Sequence, residues 1–296
     1  MGSLRFDRDQ RYQTIREIVS RLELDPGLRV LDVGGGTGEL ASLLGMDSYW
    51  TADPRGSGPN HLRASMDALP VGDAAFDLVI QSDSLEHVPC SMYEPGLREL
   101  ARASGGWLIW IGPVDSPETA ALEEDLCETH RKASGGREMD WLAEHRFHGL
   151  PPSETVVSVL AGHFDSWVWW RSCRLDRWWS FKKLELALDA AAAWPELEEA
   201  LNQWYATWGW REDYRIEDHT PAYRGVFVGS KRGPLPPTLV DSPKGDSRGF
   251  VASCLALSPV LEILAGGCAL GPDGRTGDAA LSGHLARIAG ILSAGM

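Results

Sequence analysis

The chain has 296 residues, 43% of them hydrophobic and 24% charged, which excludes a fibrous, collagen-like or fully disordered protein. Its 42 acidic against 28 basic residues give a net charge of −14, so phosphate backbones and anionic membrane surfaces are repelled as main partners. The five cysteines lack CxxC spacing, which indicates neither a zinc knuckle nor a disulfide framework and fits a cytoplasmic setting.

From Asp9 to Leu24, Tyr12, Ile15, Ile18, Val19 and Leu22 recur at helical spacing, and Asp25-Pro26-Gly27 ends that helix. Nothing in Met1–Phe6 resembles an apolar signal core. Arg29–Val33 reads as a buried strand running into a glycine cluster, followed by a helix over Glu39–Leu44 and a strand over Ser48–Ala52. Phe76–Ile80 and Trp107–Ile111 are further buried strands, with a helix over Glu94–Ala103 between them. Such alternation predicts a mostly parallel sheet covered on both faces. Residues 117–148 are helical and charged, Ser153 is placed to cap a helix through Val159, and Phe164–Trp170 and Tyr223–Val228 are strands. Residues 175–210 are helix-rich. Beyond Arg232, a Pro/Gly/Ser-rich stretch, 233–249, reads as a linker. The segment 250–296 begins apolar, but Glu262 would be costly in lipid, so it reads as a loosely docked tail.

The segment that carries chemistry is Asp32-Val33-Gly34-Gly35-Gly36-Thr37-Gly38, between a strand and a helix. That turn lies at the carboxyl edge of a parallel sheet, where doubly wound folds bind ligands. A dinucleotide fingerprint places its third glycine one position later, where this chain has Glu39. A carboxylate there would face a pyrophosphate, whereas Asp32 suits a ligand with a cationic end.

This segment resembles motif I of the class I S-adenosylmethionine-dependent methyltransferases. Thr51-Ala52-Asp53-Pro54 resembles the end of that family's second strand, and Ala64–Pro70 with Phe76–Ile80 its adenine segment and fourth strand. Ser84-Leu85-Glu86-His87-Val88 is similar to the ending common in the type 11, ubiquinone-biosynthesis-like branch. The later segments His130-Arg131-Lys132, Gly149-Leu150-Pro151 and Tyr223–Val228 are similar to uncharacterised methyltransferases of polysaccharide-biosynthesis clusters. The resemblance implies an α/β fold: a three-layer Rossmann-like methyltransferase domain over residues 1–232, with a mostly parallel seven-stranded sheet. Helical cap insertions fall at about 117–150 and 175–220. It also implies S-adenosyl-L-methionine as cofactor, bound through Asp32, Gly34, Gly35, Gly36, Gly38, Asp53, Pro54, Met66, Asp67, Ala68 and Ser82. In that arrangement Asp53 accepts from the ribose hydroxyls and Asp67 from the adenine amine, with Met66 or Ala68 packed on the ring.

Methyl transfer from a sulfonium chiefly requires alignment and exclusion of water, with a base where the acceptor is a hydroxyl. His87 and Glu86, just past the fourth strand, are the candidates for acceptor contact or base, and Asp83 for lining the acceptor pocket. His145 and His148 share a helical face, but no third ligand accompanies them, so no metal is expected and both read as solvated histidines. The charged run Glu123–Glu128 reads as a solvated helix face. Nine of the thirteen tryptophans fall within residues 167–210, as core filling or as flat walls of an acceptor cleft. The expected acceptor is a small molecule, favouring a hydroxyl on a carbohydrate or secondary metabolite. C- or N-methylation, and a cofactor-holding module without catalysis, stay open, as does the oligomeric state.

Overall fold

Arg29–Val33, Phe76–Ser82 and Ser104–Pro113 are apolar runs with little polar alternation, the pattern of strands covered on both faces. The computed structural model describes residues 5–133, 136, 140–191, 202, 205, 210–216 and 219–240. In it these runs form the centre of a seven-stranded sheet. The strands are β1 (Arg29–Val33), β2 (Ser48–Ala52), β3 (His61–Leu62), β4 (Phe76–Ser82), β5 (Ser104–Pro113), β6 (Ser166–Arg174) and β7 (Ala222–Ser230). Their order is β3-β2-β1-β4-β5-β7-β6. Strands β1 to β5 pair in parallel, while β7 runs antiparallel between β5 and β6. The chain winds outward in both directions from β1 and β4, so the switch point lies between their carboxyl ends.

Among the described residues, the helices around the sheet include α1 (Phe6–Arg21), α2 (Glu39–Leu44), α3 (Tyr93–Ala103), α4 (Pro117–Ala133), α5 (Asp140–His148), α6 (Ser153–Ala161) and α7 (Leu175–Ala191). Alternate residues of the central strands feed two cores. Val30, Leu78, Ile80 and Ile109 pack with Ile15 and Ile18 of α1 and Trp178 and Phe181 of α7. On the opposite face, Leu31, Val79 and Leu108 pack with Leu97 and Leu100 of α3 and Val156 and Leu160 of α6. Each such side chain contributes about 1.5–3 kcal/mol of burial. These two cores make the three layers expected from the sequence.

Four of the ten described tryptophans lie in the core, and five more pack partly buried against it. Trp110, Trp170, Trp178 and Trp210 are buried. Trp110 stacks on Trp169, and Gly225 makes room for the latter: a Cβ there would lie 2.0 Å from the Trp169 ring. Trp194, Trp204 and Trp208, with the tail 241–296, lie outside the described residues. Two details differ from the sequence reading. Pro152 occupies the cap of α6, with Ser153 inside the first turn and no side-chain cap bond. The chain also stays packed past residue 232, because Leu235 and Leu239 are buried in the core beneath α1.

Candidate functional site

The carboxyl edge of the sheet brings the candidate cofactor residues together. Val33 pairs with Ala52 on one side and Gln81 on the other, so Gly34, Asp53 and Ser82 leave neighbouring strands at one level. Gly34 N–H donates to Ala52 O at 2.7 Å, which ties the glycine loop to the start of the Asp53 loop. Gly34 has φ +80°, and a Cβ there would lie 2.2 Å from Ser84 Oγ. A Cβ on Gly35 would lie 2.3 Å from Asp32 Oδ2, whereas Gly36 faces open space. The glycines thus let the loop fold down over Asp32 while leaving its outer side free for a ligand.

Asp32 is 3% exposed and accepts a hydrogen bond from Tyr49 OH at 2.7 Å. Among the described residues it has no ion-pair partner, and burial pushes its carboxyl up to about 6. A buried acid in this state is suited to a cationic ligand group. Asp53 folds into a turn, with Oδ1 accepting from Arg55 N–H at 2.7 Å. His61 braces this turn from below, through Thr51 Oγ1 at 2.8 Å and Asp53 O at 2.9 Å. Pro54 and Ala68 are exposed at the same edge. Asp67 pairs with Ser65 Oγ, and its loop is pinned to α3 where Leu69 N–H donates to Glu99. Met66 turns inward: it is buried against Gly96 of α3. Ser82 Oγ is buried without a hydrogen-bond partner among the described residues. A buried acid under a glycine loop, a second acid one strand away and an unpartnered hydroxyl beside them fit S-adenosylmethionine, whose sulfonium and amine are cationic.

Past β4 the chain makes a short 3₁₀ turn, Leu85–His87. Asp83 stands at its start with φ +41°, a left-handed conformation that costs about 1–2 kcal/mol for a residue other than glycine. Arg224 of β7, fully buried, grips Asp83 from Nε and Nη2 and also bonds Asp7 at 2.7 Å. Arg11 lies 3.4 Å from the same carboxylate. Asp83 therefore locks α1 and β7 onto the strand end.

Glu86 and His87 point the other way, toward α5. Glu86 is 2% exposed, and its carboxyl lies well above the usual range because of burial, reinforced by the Asp83 charge. His87 lies on the surface, with Nδ1 at 2.8 Å from Glu144 Oε2. Its partial burial, and then the neighbouring His145, lower its pKa. The expectation of a solvated His145 paired with His148 is overturned. His145 is 4% exposed on the inner face of α5, and its ring lies 5.4 Å from that of His87. Its Nδ1 is 2.9 Å from Glu123 Oε1, which also accepts from Tyr223 OH at 3.1 Å. Glu123 is thus a buried partner and no part of a solvated face. Trp141 meets the His145 ring edge-on. Tyr49, His61, Arg224, Glu123 and Glu144 escape a reading of the sequence because each acts through a partner brought close only by folding.

Residues 6–148 match a family model described as a methyltransferase domain. An uncharacterised methyltransferase of Mycobacteroides abscessus is 31% identical over 160 residues, 45% of this chain and 56% of the relative. One of Mycobacterium ulcerans is 31% identical over 121 residues, 34% of this chain and 47% of the relative. The chain spans about half the length of the curated relatives it matches. Among solved structures, magnesium protoporphyrin IX methyltransferase from Synechocystis PCC 6803 with bound SAH aligns at a TM-score of 0.41 and 18% identity. That alignment covers 57% of this chain and 77% of the other. Among the described residues no helix is long and apolar enough to cross a membrane.

Proposed function

We propose that this chain is a class I S-adenosylmethionine-dependent methyltransferase that methylates a hydroxyl of a small molecule, with a carbohydrate or secondary metabolite as the favoured acceptor. The observation that carries the reading is the buried Asp32, with no ion-pair partner among the described residues, beneath a glycine loop and level with Asp53 on the next strand. S-adenosylmethionine supplies an activated methyl group on a sulfonium. Asp32 receives its cationic end through the glycine loop, Asp53 accepts from the ribose hydroxyls, and Asp67 with Ala68 frames the adenine. The loop amides and the open face at Gly36 let the ligand approach the backbone.

The acceptor enters beyond β4, where Glu86, His87 and His145 form a polar group. With S-adenosylmethionine bound, transfer would form the C–O bond as its C–S bond breaks and leave a thioether, while the hydroxyl proton would pass to solvent. Helices α4 and α5 exclude water from the reacting atoms. The polar group favours an oxygen acceptor over a carbon one, since two imidazoles and a carboxyl orient a hydroxyl well. Calorimetric titration with S-adenosylmethionine and with NAD tests the cofactor reading; binding of NAD in its place would refute it. Transfer of labelled methyl into a panel of sugar nucleotides, phenols and amines tests the acceptor, and label confined to amines would refute O-methylation.

A further inference from the structure

We propose that Glu86, His87 and His145 bind a divalent transition-metal cation that receives the acceptor's oxygen, a refinement that rests on the methyl-transfer reading above. The ligands come from two packed elements: Glu86 and His87 from the turn after β4, and His145 from α5, which lies against that turn. One donor atom from each lies within 4.8 Å of the other two, and Glu86 Oε1 is 3.9 Å from His87 Nε2. Bonds of about 2.0–2.2 Å to a tetrahedral or octahedral cation place donor atoms roughly 3.0–3.5 Å apart. A contraction of about an ångström, led by the exposed His87, completes the set.

Three further features point to a ligand. Glu86 Oε2 and His145 Nε2 are buried with no hydrogen-bond partner among the described residues, although buried polar atoms are nearly always bonded. Each imidazole has a carboxylate on its Nδ1: Glu144 for His87 and Glu123 for His145. That arrangement leaves both Nε2 atoms as electron-pair donors and fixes the rings, as in carboxylate–histidine–metal units. Tyr223 in turn holds Glu123.

Two imidazoles and one carboxylate select zinc, iron(II), manganese or cobalt over calcium or magnesium. Such a set leaves coordination positions open for substrate. A hydroxyl bound there loses its proton to solvent more readily, because the cation stabilises the oxyanion, which then attacks the methyl carbon. The acceptor class this site fits is a phenol, catechol or vicinal diol, the last two able to chelate.

Cobalt(II) reports the site directly. The full chain, stripped with chelator, is titrated with cobalt(II) and followed by visible absorption and by metal analysis after dialysis. S-adenosylmethionine binding is measured in parallel by calorimetry. One bound equivalent is expected, with affinity falling about a hundredfold in His87→Ala and in the isosteric Glu86→Gln, and about tenfold or more in Glu144→Gln. His87→Ala alters an exposed residue, and unchanged circular dichroism and cofactor affinity show that the variants fold. The proposal is overturned if a protein that binds the cofactor takes up no stoichiometric cobalt, or if uptake is unchanged in both His87→Ala and Glu86→Gln. Cobalt binding without cofactor binding would keep the metal site and refute the methyl-transfer reading.

Discussion

The buried carboxyl of Asp32 makes a prediction in which stability and ligand binding move in opposite directions. Burial raises its pKa from 3.8 to about 6, against the opposing hydrogen bond from Tyr49 and the more distant Arg11; Asp53 adds to the rise. A raised carboxyl pKa means that the folded state holds a proton the unfolded chain has lost. Its contribution is therefore greatest below pH 4 and is lost as pH rises through 6. Above that, the free protein carries the full penalty: about two pH units at 1.36 kcal/mol each, or roughly 3 kcal/mol. Asp32→Asn keeps the shape and can still accept from Tyr49 OH. It should raise unfolding free energy by up to about 3 kcal/mol at pH 8, with the gain shrinking to under about 1 kcal/mol at pH 4. Urea denaturation followed by circular dichroism at pH 4, 6 and 8, without cofactor, measures the difference. The same variant should bind S-adenosylmethionine at least tenfold more weakly, since it cannot offer a negative charge. A gain that does not depend on pH, or no gain at pH 8, would refute the view that Asp32 is kept buried and charged for its ligand.

Three other substitutions test the frame around it. Asp53→Ala should weaken S-adenosylmethionine binding about ten- to a hundredfold in calorimetry, because hydrogen bonds to a charged group are worth about 1.5–3 kcal/mol; an unchanged dissociation constant would remove the ribose role. Gly35→Ala sets a methyl 2.3 Å from Asp32 Oδ2 and should abolish cofactor binding and lower the melting temperature together. Retained affinity in that variant would mean that the loop need not lie on Asp32. Arg224→Met removes the buried guanidinium shared by the partly buried Asp7 and Asp83, which keep only Lys182 and Arg11 among the described residues, and should cost about 3 kcal/mol in urea denaturation. A loss below about 1 kcal/mol would show that the ion cluster does not hold α1 and β7 to the strand end.

The parallel half of the sheet is readable in the sequence because its signals are local. Arg29–Val33 runs straight into its glycines, and a five-residue strand buried from Val30 onward, followed by a left-handed turn, leaves few alternatives. The two-residue β3 has no such run and becomes a strand only because Thr51 and Ala52 offer it an edge to pair with. Composition likewise signals that the tryptophans are many without saying which face they fill. Trp110 is core because Gly225, more than a hundred positions later, lets Trp169 stack on it.

The turn after β4 shows where local reading stops. Asp83, Glu86 and His87 lie within five residues and look equally available for chemistry, yet folding gives them different fates. Asp83 is claimed by Arg224, 141 positions away, and with Arg11 that ion cluster stabilises the left-handed backbone at the strand end. Glu86, three residues on, has no Lys or Arg ion-pair partner among the described residues and is left buried with an unpartnered oxygen. His87 is aimed by Glu144 and flanked by His145, both from α5, while Glu123 of α4 and Tyr223 of β7 fix His145. The cap is therefore more than a cover. It delivers one ligand and two orienting carboxylates to residues supplied by the sheet. Neither the sheet edge nor the cap alone holds a complete donor set, so the cluster exists only when α5 is seated.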